Sequence, residues 1–237
     1  NGPTRMGTPI VDIGTGMIAC NAILASLLER GRSGLGQAIE VPLYDSAISM
    51  MHPQAANSLM SGQIPKATGN GHPNIVPYDM FETSTGKLYL AVGNNRQFAV
   101  LCDVLGIPEV PRDVRFVDNA ARLTHRAEIT HLLSECLRCH DAFELEPVLL
   151  NAGVPAGVVR DVNEALAHPH TRHRDMVVSK EGYRGTGVPA RLSRTPGTVR
   201  SAPPRFGQHS IELLREAKLT EDEIGELVSK DIVRAEQ

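Results

Sequence analysis

Residues 9–43, PIVDIGTGMIACNAILASLLERGRSGLGQAIEVPL, decide the fold class. From Gly16 to Arg30, apolar or small side chains fill nearly every position, the pattern of a helix covered on most of its faces. Gly31, Ser33, Gly34 and Gly36 then stop that helix and turn the chain. Residues 38–43, AIEVPL, read as a short strand, and residues 44–59, rich in small side chains and Met, as a second helix. Helix, glycine turn and strand form one unit of an α/β layer.

Beyond this unit the composition shifts to Gly, Pro, Asn and Lys over residues 61–77, the mark of a linker running into a loop. Residues 78–83 and 87–92 flank Ser84-Thr85-Gly86 and predict a β-hairpin. A helix over 96–105 ends at Gly106 and Pro108. Residues 124–139 and 142–151 predict two more helices, and residues 153–159, GVPAGVV, a turn into a strand. A second hairpin is expected over 176–192, followed by a proline-rich extended stretch over 195–205. Two short helices close residues 210–234, the second opened by Thr220 with Glu223 in a capping box.

The 237 residues suffice for a sizeable core, and length alone allows one large domain or two small ones. With 22% charged residues, 41% apolar residues and a net charge of -3, the chain has no basic excess to attract nucleic acid or an anionic membrane surface. Residues 17–28, the longest apolar stretch, are too short for a bilayer span and are interrupted by Cys20, Asn21 and Ser26. Cys20, Cys102, Cys136 and Cys139 are too few and too irregular for a disulfide framework, which points to a reducing, cytoplasmic setting. The opening Asn1-Gly2-Pro3-Thr4-Arg5 has neither an initiating Met nor a signal-peptide pattern, and reads as a start partway into something larger.

Asp12 stands next to the start of the apolar helix, among Gly14 and Gly16. A carboxylate there lies at the positive end of the helix dipole, where glycines let another molecule approach the backbone. It has two readings: a cap on backbone donors, or a carboxylate nucleophile. The stretch Ala67-Thr68-Gly69-Asn70-Gly71-His72-Pro73-Asn74 likewise reads as a flexible turn, or as a loop whose bare amides hold a developing oxyanion. Tyr78, Arg96 and Gln97 are candidate substrate contacts. Arg96 could grip a carboxylate through two parallel hydrogen bonds, or be a surface arginine on the first turn of its helix.

Three other motifs carry less. Cys136-Leu137-Arg138-Cys139-His140 matches the haem-attachment pattern, but in a helical amphipathic segment with no export signal. His168, His170 and His173 have no cysteine or carboxylate set nearby to complete a zinc shell, and the adjacent arginines oppose a cation. Residues 31–36 resemble a phosphate loop in composition, yet they follow a helix and enter a strand, the reverse of the order a dinucleotide fingerprint needs. No metal is expected.

The ordered motifs are similar to those of the family III CoA-transferases, the CaiB/BaiF family. They begin with Asp12-Ile13-Gly14-Thr15-Gly16, Ala25-Ser26-Leu27-Leu28-Glu29-Arg30 and Ser33-Gly34-Leu35-Gly36-Gln37. They continue with Gly69-Asn70-Gly71-His72-Pro73-Asn74-Ile75-Val76-Pro77-Tyr78 and Leu90-Ala91-Val92-Gly93-Asn94-Asn95-Arg96-Gln97-Phe98, then Gly153-Val154-Pro155-Ala156-Gly157 and Gly207-Gln208-His209. The resemblance covers essentially the whole chain.

It implies that Asp12 is a nucleophile that attacks an acyl-CoA thioester and carries CoA as an aspartyl thioester to a carboxylic acid acceptor. Gly69, Asn70, Gly71 and His72 would cover the intermediate and exclude water. CoA is then a substrate, and no permanently bound cofactor is implied. The family also contains α-methylacyl-CoA racemases, whose active-site Glu would fall at Asn94 or Asn95 here, which favours transfer. A third reading is a non-catalytic fragment or subunit. The implied architecture is α/β: residues 1–62 in part of a large Rossmann-like domain, 63–175 as linker and small α+β domain, and 176–237 as a return segment whose C-terminal helices rejoin the large domain. Members form interlocked homodimers and carry a long section ahead of the nucleophile that binds most of CoA. A homodimer or an upstream complementary chain is therefore the expected partner.

Overall fold

The computed structural model of the protein describes residues 4–235; the opening Asn1, Gly2 and Pro3 discussed above lie outside them. The chain divides between Pro73 and Asn74 into two units.

The first unit is led by α1 (Ile10–Ser33), with Asp12 in its first turn and Arg30 and Arg32 in its last, each sign matched to its end of the helix dipole. Gly34 ends it in the left-handed conformation at φ 77°, its N–H donating to the Arg30 carbonyl at 2.8 Å. The helix therefore starts six residues earlier than the apolar run suggested, and Asp12 lies within it rather than ahead of it. α2 (Leu43–Ser49) packs on α1, and the Met50 side chain that follows lies over Gly14, where a Cβ would have no room.

Four expectations are revised in this unit. No residue of α1 is buried, and Ile10, Met17, Ile23, Leu24 and Leu28 are exposed. Hydrophobic periodicity reports what a helix can bury, not whether a neighbour is there to cover it. At 24 residues α1 is also long and apolar enough to cross a membrane by length and composition, which the stretch 17–28 was not. The strand expected over 38–43 is not formed: residues 34–42 pair with no strand among the described residues, and a strand needs a neighbour for its ladder bonds. The single helix expected over 44–59 is split into α2 and α3 (Gln54–Ser61) at Pro53, which has no N–H to continue a helix.

The second unit is built on the predicted hairpin. β1 (Tyr78–Glu82) and β2 (Lys87–Ala91) pair antiparallel, and β3 (Ala156–Val158) adds to the other side of β2, giving the order β1-β2-β3. Phe81, Leu88 and Leu90 point from one face into a core shared with α4 (Asn95–Val104), α6 (Arg126–Leu137) and α7 (Ala142–Asn151). Between α4 and α6 lies α5 (Asn119–Thr124). The hairpin tip is bolted to the α6–α7 junction: Ser84 N and Oγ both donate to the His140 carbonyl, at 2.9 and 2.8 Å, and Ala142 N donates to Thr85 Oγ1 at 3.0 Å. The Cys136–His140 segment is thus the end of a helix held by a turn.

After β3 come α8 (Val162–Ala167) and α9 (Pro169–His173), then β4 (Val177–Lys180) and β5 (Tyr183–Thr186) paired as a second hairpin. Residues 188–206 carry no helix or strand. α10 (Ser210–Glu216) and α11 (Glu221–Ser229) end the unit, and Thr220 with Glu223 forms the capping box read from the sequence.

Candidate functional site

Pro9 takes the N-cap position of α1 and has no side chain that can cap, so the helix opens on backbone bonds alone, Ile10 N to Thr8 O at 2.8 Å and Ile13 N to Pro9 O at 3.1 Å. Asp12, three residues in, is exposed, and its carboxylate makes no hydrogen bond or ion pair among the described residues. The capping reading therefore fails. A carboxylate held on a helix turn, near the positive dipole end and committed to no partner, is available to react with a bound electrophile.

The second candidate element lies in the same unit. Gly69 adopts φ 64°, which lets the loop close on itself: Thr68 Oγ1 donates to the Gly71 carbonyl at 2.7 Å and Gly71 N to the Thr68 carbonyl at 3.1 Å. Gly71 is buried by this turn, and its amide is spent within it. Its N–H would have to leave Thr68 before it could serve an oxyanion. Asn70 and His72 are both engaged by neighbours.

Tyr78, Arg96 and Gln97 belong to the second unit, where three of the ordered motifs, far apart in sequence, converge on one end of the three-stranded sheet. Val92 N donates to Pro77 O at 3.1 Å and Ala91 N to Pro155 O at 2.9 Å. Gln97 ties the same corner together, accepting from Gly93 N at 2.9 Å and donating to Gly153 O at 3.4 Å, while Asn94 caps α4 by accepting from Gln97 N. The Gln97 amide is therefore a brace. Arg96 is exposed and its guanidinium bonds to no described residue, as an anion-gripping arginine requires. Tyr78 stacks edge-on against Tyr89 at 5.9 Å, and burial, then the nearby Tyr78 and Asp79, raise the Tyr89 hydroxyl above its ordinary range.

Sequence reading missed the two residues that hold this corner from behind. Asn119 donates to the Asn74 carbonyl at 2.8 Å and accepts from Val76 N at 3.0 Å. Arg122, 1% exposed, donates to Val76 O, Phe116 O and Asn95 Oδ1 at 2.7, 2.9 and 2.9 Å, with its guanidinium 4.4 Å from the Phe98 ring. Burial lowers the Arg122 pKa, and no carboxylate among the described residues bonds to it. A polar run in the six-residue α5 gives no periodicity from which this could be read.

No group of three or more metal-ligating side chains converges among the described residues. His168 is the N-cap of α9, its Nδ1 accepting from His170 N at 3.2 Å. The four cysteines are free, and burial pushes the Cys102 thiol up to about 12.

The sequence profile of CoA-transferase family III matches residues 1–210. The chain is 36% identical over 225 residues to a succinate–glutarate CoA-transferase of Agrobacterium fabrum, an alignment covering 92% of this chain and 56% of that protein. It is 32% identical over 237 residues to the human succinyl-CoA:glutarate CoA-transferase, covering 98% and 54%. Among solved structures, a CaiB/BaiF family protein from Brucella suis matches with a TM-score of 0.73 and 36% identity, over 91% of this chain and 57% of that one. The chain thus spans about half the length of the curated relatives it matches.

Proposed function

The chain belongs to CoA-transferase family III, the CaiB/BaiF family, and on that premise we propose that it moves CoA from an acyl-CoA donor to a carboxylic acid acceptor through a covalent intermediate on Asp12. The observation that carries this reading is the Asp12 carboxylate itself: exposed, unpartnered and in the first turn of α1.

In the proposed cycle a carboxylate oxygen of Asp12 adds to the thioester carbonyl carbon, and the C–S bond breaks to give a mixed anhydride and CoA thiolate. The thiolate attacks the aspartyl carbonyl and expels the donor acid, leaving an aspartyl-CoA thioester. The acceptor carboxylate then attacks that thioester and releases the thiolate again. Attack of the thiolate on the acceptor's acyl carbon restores the Asp12 carboxylate, so the thioester bond energy is kept without ATP. The loop of Gly69, Asn70, Gly71 and His72 covers the intermediate, because water entering at the anhydride would waste it. The two relatives compared above are named for succinate and glutarate, which supports short dicarboxylic acids as substrates, with Arg96 as the grip on one carboxylate.

Racemisation is the weaker reading on a specific observation. Asn94 and Asn95, where a racemase Glu would fall, carry no ionisable group, and both are committed to structure, to the α4 cap and to Arg122. The proposal extends to a cytoplasmic protein in which residues 1–62 belong to a Rossmann-like large domain, residues 63–175 form the linker and small domain, and the C-terminal helices rejoin the large domain. The working unit is a homodimer or a complex with a complementary chain. The test is to trap the enzyme-bound thioester with hydroxylamine after adding succinyl-CoA to the full-length protein. Labelling at Asp12 supports the reading, and exchange that persists in Asp12→Ala sinks it.

A further inference from the structure

The second hairpin has two different faces. The register pairs Val177 with Thr186 and Ser179 with Arg184, so Val177, Arg184 and Thr186 share the face that meets α8 and α9. Between them lies a cavity of about 480 Å³, within the range of small-molecule sites. Two arginines line it, Arg184 from β5 and Arg172 from α9, both exposed to solvent. Elsewhere in the unit, Arg115, Arg138, Arg160, Arg191 and Arg215 each meet a carboxylate. Arg172 and Arg184, like Arg96, make no side-chain hydrogen bond or ion pair among the described residues, and these two line the same cavity. Two arginines without a carboxylate partner on one cavity make a cationic pair that an anion can bridge.

The remaining lining distinguishes between anions. Leu166 and Val177 give the cavity an apolar floor, while Asn163 and Thr186 add polar groups at its wall. A bare phosphate would use the cations and leave the floor in water. A short aliphatic dicarboxylate would place one carboxylate on each guanidinium fork and its methylenes on the floor. We propose that the cavity between the β4–β5 hairpin and helices α8 and α9 binds a short dicarboxylate between Arg172 and Arg184. This second site does not depend on the transferase reading, since it uses none of the residues assigned to acyl transfer.

Calorimetric titration of the 237-residue chain with glutarate, at low salt, is the test. In Arg96→Gln, which removes the acceptor grip proposed above, one equivalent is expected to bind, and adding Arg172→Gln or Arg184→Gln is expected to weaken it about tenfold or more, with the melting temperature unchanged because neither guanidinium bonds to a described residue. Binding is expected to persist in Asp12→Ala and Arg96→Gln. Butyrate, with one carboxylate, and inorganic phosphate are expected to bind about tenfold more weakly than glutarate. No binding of glutarate, binding indifferent to both arginine substitutions, or phosphate as tight as glutarate would each overturn the proposal. Should Arg172→Gln lower the melting temperature, Arg172→Lys decides: the point charge keeps the fold but loses the fork, so weakened glutarate binding supports the site and unchanged binding refutes it.

Discussion

Arg122 holds Asn95 in place from inside the second unit: its Nη2 donates to Asn95 Oδ1 at 2.9 Å while its Nε and Nη1 bind the Val76 and Phe116 carbonyls. One buried cation thereby fixes the start of α4, the approach to β1 and the turn before α5. No carboxylate among the described residues bonds to it; its charge is met by carbonyl dipoles, the Phe98 ring and the nearby Asp118.

Replacing Arg122 with Met keeps much of the volume and takes the donor from two buried carbonyls, Val76 O and Phe116 O, while exposed Asn95 can turn its amide to water. Each buried loss costs roughly 1–3 kcal/mol, so Arg122→Met is expected to destabilise the protein by about 2 kcal/mol or more. Urea unfolding read by circular dichroism would show the midpoint falling with little change in slope. A midpoint within error of the parent would mean that the three bonds contribute nothing net.

At the end of α1, Gly34 sits at φ 77° with open space where a Cβ would be. The cost of Gly34→Ala is therefore purely conformational, about 1 kcal/mol for an L-residue in the left-handed region. Gly86, at the β1–β2 turn, has the same open space but no positive φ, and Gly86→Ala is expected to cost less. Melting temperatures of the pair measure the difference, and equal values would contradict the cap.

Glu146 and Arg160 form a two-pronged ion pair, Nη2 to Oε2 at 2.7 Å and Nη1 to Oε1 at 3.0 Å, and Glu146 Oε1 also accepts from Val158 N of β3. The side chains are 17% and 19% exposed. Arg160 holds the Glu146 carboxyl below the ordinary glutamate range, against the opposing effect of burial. A carboxylate lowered on folding contributes stability that is complete above its unfolded pKa of about 4.3 and lost as pH falls through its folded value. Stability is thus expected to decline below about pH 4.3, and Glu146→Gln to flatten that part of the curve while costing about 2 kcal/mol at neutral pH. Guanidinium melts at stepped pH test both effects, and an unaltered acid limb in the variant would remove Glu146 as its source.

The second unit was largely legible in sequence because its signals are local. Ser84-Thr85-Gly86 marks a hairpin whatever surrounds it, and Thr220 with Glu223 caps a helix with its own atoms. The first unit was less so. Residues 38–43 have strand composition, but a strand exists only where a second one pairs with it, and the apolar faces of α1 are buried only where something covers them. The candidate site divides the same way. Asp12 and Arg96 stand out as charges in meaningful places, whereas the roles of Gln97, Asn119 and Arg122 arise from contacts across 43 to 56 residues of chain. No local pattern encodes such contacts.

Asp12 separates catalytic from structural roles cleanly, because its carboxylate has no partner to lose among the described residues. Asp12→Asn keeps the shape and removes the charge and the nucleophile. It is expected to shift stability by no more than about 0.5 kcal/mol, as for a surface substitution away from any cap or ion pair. Loss of the dipole interaction accounts for a few tenths of that. CoA exchange between succinyl-CoA and glutarate, assayed on the full-length protein, is expected to fall at least about a thousandfold, since no neighbouring group on α1 can replace a covalent carrier. The two measurements guard each other. A collapse of both would make Asp12 structural, contrary to its exposed and unpartnered position, and a fall in neither would return the chain to a non-catalytic role.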